Sequence, residues 1–158
     1  MTEDARFEDG GEKPLNLKAM DIGDLQVISS LVQDAVFPVT EMKWDHKSRR
    51  FALLVNRFRW EDTSVSGPRK RPFERVQSVL VVDDVLKVSS QGIDRKDSEI
   101  VLSLLTMEFL PDEDGVGQLV LTLAGDGTIA VDVETLDVTL KDVTRPYIAP
   151  SRKQPQHK

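Results

Sequence analysis

Residues 49–62 combine two side-chain types that commonly bind anionic partners. The stretch RRFALLVNRFRWED carries four arginines and three aromatic rings in a chain whose net charge is −6. Guanidinium groups donate bidentate hydrogen bonds to phosphates and carboxylates, and aromatic faces stack on nucleobases. Between Lys43 and Arg75 the chain holds ten Lys or Arg and four Asp or Glu, a local net charge of +6. The candidate binding residues are Arg49, Arg50, Arg57, Arg59, Arg69, Lys70, Arg71 and Arg75.

The alternation of side chains along a strand separates these arginines from the rings. If residues 49–62 are extended, Arg57 and Arg59 share one face and Phe58 lies on the other. We expect the rings to be core and the arginines to be solvated, which weakens the case for a nucleic-acid platform with rings and cations on one surface. The simplest prediction is that these arginines pair across strands with acids such as Asp132 and Glu134.

A second basic cluster, GPRKRPFER at residues 67–75, lies in a predicted long loop that contains glycine and proline. Loops carry binding residues more often than the strands they connect. The cluster is therefore part of the candidate binding segment.

The residues needed for many kinds of catalysis are scarce in this chain. It has no cysteine and only two histidines, His46 and His157. Thiolate catalysis, cysteine-bound zinc and disulfides are excluded, and a two-histidine metal site or a Ser-His-Asp triad lacks material. No phosphate-binding glycine loop or dinucleotide fingerprint is present. We predict no catalytic, cofactor-binding or metal-binding residues, and an enzyme that uses carboxylates such as Asp83 and Asp132 is a minor alternative.

Two acidic motifs are better explained by turns than by metal binding. The stretch PDEDG at residues 111–115 lacks the twelve-residue spacing and the final Glu of an EF-hand loop, so it predicts an acidic hairpin loop. Asp83 and Asp84 are adjacent, which points their side chains to opposite faces of a strand. We expect them at a hairpin tip or a bulge within one long strand.

The elements that must position these residues are one helix and a series of strands. Apolar residues recur at helical spacing in residues 21–38, with Asp21 as the N-cap and Pro38 as the stop signal. From Met42 onward, short runs rich in Val, Leu and Thr predict six or seven antiparallel strands. We predict strand rather than helix at 98–109, one strand at 128–140 and a hairpin at 121–132 with a tight turn at Gly125, Asp126 and Gly127.

The predicted fold class is α+β, mainly antiparallel β. We expect a six- or seven-stranded barrel or strongly bent sheet with one N-terminal amphipathic helix over an opening. The specific shape that we compare with it is a pleckstrin-homology-like barrel. Residues 15–147 form the predicted single domain, between a disordered N-terminus at 1–14 and a disordered proline-rich tail at 148–158.

The chain resembles a bacterial family that is known only as a domain of unknown function. The resemblance covers residues 15–147 and rests on the order of the motifs LNLKAMDIGDLQVISSLVQDAV, RRFALLVNRFRWE, ERVQSVL, VLKVSSQGID, VLSLLTMEF and LAGDGTIAVDVETLDVTLKDV. It implies a small bacterial protein of one domain. It implies no activity, cofactor or catalytic residue.

Missing catalytic chemistry and uneven charge together predict a non-catalytic interaction module in the cytoplasm. We expect it to bind a protein or peptide through an exposed edge strand or the region 49–75, as a monomer or homodimer. RNA or ribosome association through the basic segment 43–75 is the alternative. No apolar run approaches the roughly 20 residues that a membrane span needs, so no membrane partner is expected.

Overall fold

The computed structural model describes residues 14–60, 74–94, 96–143 and 147–148. Helix α1 spans Ile22–Leu31. In chain order the strands are β1 (Asn16–Ala19), β2 (Val36–Pro38), β3 (Met42–Asp45), β4 (Arg50–Phe58), β5 (Glu74–Val82), β6 (Val85–Gln91), β7 (Val101–Pro111), β8 (Gly117–Leu123), β9 (Thr128–Val133), β10 (Val138–Asp142) and β11 (Tyr147–Ile148). No helix in these ranges has the length and apolar character that a membrane crossing requires.

The described strands join into one antiparallel sheet of eleven strands. Its order is β1-β10-β5-β4-β2-β7-β8-β9-β6, with β3 attached to β4 and β11 attached to β5. The path ends at β1 and at β6, and the sheet is not closed. The predicted class, α+β and mainly antiparallel β, is confirmed. The structure does not support the six- or seven-stranded barrel, nor its pleckstrin-homology-like version.

The structure has more strands than the six or seven predicted, mainly because short strands were not recognised and two strands were predicted as one. The run at 128–140, predicted as one strand, is two: β9 pairs with β8 and β6, whereas β10 pairs with β5 and β1. The buried residues of β9 are odd-numbered, as in Val131 and Val133, while those that follow are even-numbered, as in Leu136 and Val138. This change of phase marks the break, because a continuous strand keeps its buried residues at a spacing of two.

Helix α1 packs on β1 and β7 through Leu25, Ile28 and Leu31, which are buried. Asp21 caps it as predicted, since its Oδ1 accepts from the Asp24 amide at 2.8 Å. The predicted end at Pro38 is wrong. The helix ends at Leu31, Asp34 takes a left-handed φ of 64°, and the chain then pairs with β7 through β2. Val36, which continues the helical spacing in the sequence, pairs with β7 instead of extending the helix.

The connections confirm some sequence predictions and correct one. Strand β7 begins at Val101, so the strand predicted at 98–109 is confirmed from that residue onward. The hairpin between β8 and β9 is closed by the Leu123 amide, which donates to the Gly127 carbonyl at 2.9 Å. Asp83 and Asp84 are neither a hairpin tip nor a bulge. They lie between β5 and β6, which pair with different neighbours, and Asp84 has a φ of 58°.

The core is formed by Val, Leu, Ile and Phe side chains from both ends of the strand path. The predicted acidic hairpin loop holds a 3-10 turn, Glu113–Gly115, between β7 and β8. The predicted disordered ends lie, except for their innermost residues, outside the described ranges, so the domain boundaries stay predictions.

Gly117 at the start of β8 provides a test of this packing. A Cβ there would lie 2.7 Å from the Leu110 carbonyl oxygen and 2.5 Å from Phe109 Cζ. We expect Gly117→Ala to lower the free energy of unfolding by about 1–3 kcal/mol in urea denaturation, because backbone must move. Gly23→Ala is the control, because its Cβ would meet only Asp21 Oδ1 at 3.6 Å and alanine favours the helix. Equal stability of both variants would contradict the packing of β7 against β8.

Candidate functional site

Arg57 of β4 lies on the buried face of the sheet, whereas Arg50 at the start of the strand is exposed. Along this strand Phe51, Leu53, Val55 and Arg57 are buried in alternation, and Arg57 has an exposed fraction of 0%. Phe58 is only half-buried. The prediction of rings in the core and arginines in solvent is therefore wrong for Arg57 and Phe58, whereas the ring of Phe51 is in the core as predicted. The buried positions alternate without a break from Phe51 to Arg57, so Arg57 falls on the core face. The alternation in the sequence separates two faces but does not indicate which of them is buried.

Arg57 forms a buried network with Ser78 of β5 and Asp142 of β10. Its Nη2 donates to Asp142 Oδ1 at 3.0 Å, and its Nε donates to Ser78 Oγ at 3.0 Å. The Ser78 hydroxyl donates to Asp142 Oδ1 at 2.7 Å. The Leu15 amide donates to Asp142 Oδ2 at 2.8 Å, and the Asp142 amide returns a bond to the Leu15 carbonyl at 2.9 Å. The network joins β4, β5, β10 and the residue that leads into β1.

Arg59, at the end of β4, is also buried and contacts an acid. Its Nη1 donates to Glu74 Oε1 at 3.1 Å, and its amide donates to the Glu74 carbonyl at 3.0 Å. The predicted partners of Arg57 and Arg59 were Asp132 and Glu134, and the structure gives both arginines other partners. Strand order explains the difference, because β9 is not a neighbour of β4.

Arg49 and Arg50 form exposed ion pairs at the β3–β4 turn. Arg49 pairs with Glu134, and the hydrogen bond from this carboxylate raises the pKa of Arg49. Arg50 Nε lies 2.8 Å from Asp83 Oδ1, and this hydrogen bond likewise raises the pKa of Arg50 above its ordinary value. Exposed pairs of this kind contribute little to stability, but they neutralise local charge.

The remaining candidate residues divide between one described arginine and three outside the described ranges. Arg75 donates to Asn56 Oδ1 at 2.6 Å and lies over the Phe58 ring at 3.9 Å. Arg69, Lys70 and Arg71 fall in residues 61–73, which the structure does not describe. The described candidates therefore do not converge on one pocket, and their binding role stays a prediction.

A small apolar crevice lies between strands β3 and β6. It has a volume of about 60 Å³, and its lining residues are Met42, Trp44, Phe51, Val88, Ser90 and Ile129. Among the strands that the structure describes, β3 pairs with β4 and β6 pairs with β9, so each has a second edge that no described strand covers. Sequence reasoning missed these residues, because the fold alone brings the two strands together.

The backbone groups of β6 that face away from β9 can be identified from the ladder. The Leu123 amide donates to the Gly127 carbonyl, so the backbone groups of Gly127 are directed toward β8. The amide and carbonyl groups of Thr128, and of every second residue after it, are therefore directed toward β6. These residues lie opposite Gln91, Ser89 and Lys87. The amide and carbonyl groups of Val88 and Ser90 therefore point outward, beside the crevice.

The β3–β4 turn next to the crevice is fixed by Asp45. The Lys47 amide donates to Asp45 Oδ1 at 3.0 Å. Hydrogen bonds from the side chain and backbone of Ser48 lower the pKa of Asp45 below its ordinary value of 3.8. Trp44 contacts the His46 ring with the two centroids 4.4 Å apart. The turn therefore holds Trp44 at the mouth of the crevice.

A second, wider groove separates helix α1 from strand β7. Its volume is about 320 Å³, and Gln26, Ser29, Gln33 and Glu108 are among its lining residues. Ser29 Oγ accepts from the Met107 amide at 3.0 Å, so the helix satisfies part of the β7 edge. The carboxylate of this groove, Glu108, is exposed.

The two acids that were considered for catalysis have separate partners. Asp83 bonds Arg50, and Asp132 accepts from Gln118 Nε2 at 2.9 Å. Within the described ranges, no cluster of three His, Asp or Glu side chains could hold a metal ion.

A protein-family model matches most of the chain. A family model described as "Protein of unknown function (DUF2948)" matches residues 15–157. No curated protein and no solved structure matches the chain significantly.

The buried network predicts a non-additive loss of stability. Arg57→Met and Asp142→Asn should each lower the free energy of unfolding by about 3–5 kcal/mol in urea denaturation, because each breaks a buried ion pair by removing one of its two charges. The double variant should lose less than the sum of the two, since no charge stays uncompensated. Arg50→Ala, which breaks an exposed pair, is the control and should lose under about 1 kcal/mol. Additive losses from the two buried sites would contradict the network.

The hydrogen bonds of the β3–β4 turn should lower the pKa of the Asp45 carboxyl measurably. A group whose pKa is depressed in the folded state stabilises the fold above its ordinary pKa, and this stabilisation is lost as pH falls through the folded pKa. NMR titration of the Asp45 carboxyl should therefore give a midpoint below 3.8. In Ser48→Ala the midpoint should rise toward 3.8, and an unchanged midpoint would show that Ser48 does not hold the turn.

Proposed function

This chain belongs to the DUF2948 family, whose description carries no function, and we propose from the geometry of β3 and β6 that it is a non-catalytic module that binds an extended peptide. The peptide adds as a strand to the outer edge of β6, and one of its side chains enters the crevice between β6 and β3. The cytoplasmic location stays a prediction of the cysteine-free composition.

The carrying observation is that no strand among the described residues pairs with the outer edges of β3 and β6, which flank an apolar crevice. Only the start of the β6 edge is bonded, by the Val85 amide, which donates to the Arg49 carbonyl at 2.9 Å. An edge strand presents unpaired amide and carbonyl groups, and a peptide that pairs with them gains main-chain hydrogen bonds. In this chain the groups of Val88 and Ser90 are directed outward next to Trp44 and Met42, which line the crevice. Backbone pairing supplies the affinity, and the crevice selects the side chain.

The size of the crevice limits which side chain enters. A volume of about 60 Å³ admits a small aliphatic group such as that of Ala or Val. Burial of such a group contributes on the order of 1–2 kcal/mol, and each backbone hydrogen bond adds about 0.5–1.5 kcal/mol. The binding is therefore weak and reversible, in the range typical of transient complexes.

The alternatives have less support in the described residues. RNA binding through the basic segment needs guanidinium groups that can reach phosphates, yet the guanidinium groups of Arg49, Arg50, Arg57 and Arg59 contact acids. A carboxylate-based enzyme needs acids that share a pocket. Asp83 and Asp132 instead bond Arg50 and Gln118.

A proline at position 88 tests strand addition. Random twelve-residue peptides displayed on phage, selected on the full chain, should yield binders whose affinity is measured by isothermal titration calorimetry. Val88→Pro removes an amide that points away from β9, so it should weaken binding at least about tenfold while circular dichroism stays unchanged. Val88→Ala keeps that amide and is the matched control, with a smaller loss from reduced crevice contact.

Two results would contradict the proposal. The first is selection of no binder at all, and the second is equal affinity of a selected peptide for Val88→Pro and Val88→Ala. If instead the chain binds single-stranded RNA with an affinity that falls steeply between 50 and 200 mM salt, the basic segment carries the function.

A further inference from the structure

The outer faces of β3 and β6 carry lysines on either side of the crevice. Met42 and Trp44 point to the crevice, so Lys43 between them points to the other face, where it is exposed. On β6, Val88 points to the crevice and Lys87 is exposed on the opposite face. A strand lying along β6 directs alternate side chains to these two faces.

Both lysines are available to a ligand. No carboxylate oxygen among the described residues lies within ion-pair distance of Lys43 or Lys87, whereas Lys18 pairs with Asp137 at 3.2 Å. Lys87 lies directly opposite Asp132 on β9, but that carboxylate accepts from Gln118. The positive charge beside the crevice thus belongs to lysines, while the described arginines of the basic segment already have partners.

We propose, building on the proposed function, that the bound peptide is an acidic strand of another protein. Its outward side chains are carboxylates at alternate positions beside Lys87 and Lys43, and its inward side chains are small and aliphatic. Opposite charges on neighbouring strands attract, and each such cross-strand pair changes affinity by roughly 1.4- to 5-fold. The alternation of Glu or Asp with Ala or Val is the recognition pattern.

The charges of β6 weigh against a second copy of the chain as the occupant. Its sequence, VLKVSSQ, has one lysine and no acid, so pairing of two β6 edges would bring lysines to the same face without a compensating carboxylate. A nucleic acid fits poorly as well, because a crevice of about 60 Å³ is smaller than a nucleobase.

Synthetic peptides of nine residues test the pattern directly. Three acetylated and amidated probes alternate valine with glutamate, with threonine or with lysine, and fluorescence anisotropy in 50 mM salt measures their binding to the full chain. The glutamate probe should bind at least about tenfold more tightly than the lysine probe. Lys43→Glu combined with Lys87→Glu should reverse this order.

The matched control changes the same number of charges elsewhere. Lys96→Glu combined with Lys141→Glu alters two exposed lysines that belong to neither β3 nor β6 and do not line the crevice, so it should keep the preference for glutamate. If this control reverses the preference as well, net charge rather than Lys43 and Lys87 selects the peptide, and the inference is overturned.

The remaining outcomes separate this inference from the proposed function. If all three probes bind equally and Val88→Pro abolishes this binding, the acidic preference is refuted and strand addition is still supported. Binding of none refutes both. A dimer in size-exclusion chromatography that Val88→Pro dissociates identifies a second copy as the occupant.

The acidic N-terminal residues of the same chain are the last competitor. Their carboxylates can be converted to amides in the full chain, at Glu3, Asp4, Glu8, Asp9 and Glu12. An increase of more than about tenfold in affinity for the glutamate probe would show that this segment occupies the site and would overturn the assignment to another protein. Unchanged affinity supports it.

Discussion

The buried ion pair between Arg57 and Asp142 is the constraint on which the arrangement of the strands depends. Taking these two charges out of water costs several kcal/mol per group unless each finds partners. Ser78 and the Leu15 amide complete the hydrogen bonds of the Asp142 carboxylate. The network can form only if β4, β5 and β10 are adjacent and the chain enters β1 beside them.

This constraint has a consequence for the other end of the sheet. Because β10 lies beside β5, the chain cannot continue β9 as one straight strand into β10. Strand β9 instead pairs with β6 at the other end of the sheet. The β6 strand becomes the last strand of the path, with an outer edge beside β3. The interaction surface proposed for this chain thus follows from the same separation of β9 from β10 that the buried network fixes.

The sequence predicts the elements of this fold better than their arrangement. Asp21 as a cap, the strand after residue 98 and the hairpin at Gly127 depend on local signals, and all three occur in the structure. The burial of Arg57 could not be predicted in this way, because it depends on an aspartate 85 positions later in the chain. The change of phase between Val133 and Leu136 is a local signal, and the prediction of one strand at 128–140 did not take it into account.

The candidate site shows the same limit. Composition points to arginine as the unusual feature of residues 49–62, but charge alone cannot distinguish a solvated cation from one that is paired in the core. The crevice joins Trp44 to Val88, residues from strands that do not pair, and local patterns carry no information on such a contact. For this reason sequence analysis counted Lys43 only as part of the basic segment and did not connect it with Lys87.

Hydrogen exchange at single amides of β6 tests the central claim, strand addition, most directly. In the free chain the amides of Val88 and Ser90 should exchange quickly, while that of Ser89, which faces β9, should be protected. Saturation with the glutamate and valine peptide should slow exchange at Val88 and Ser90 and leave Ser89 unchanged. Protection of Val88 and Ser90 in the free chain, or no slowing in the presence of bound peptide, would contradict the account.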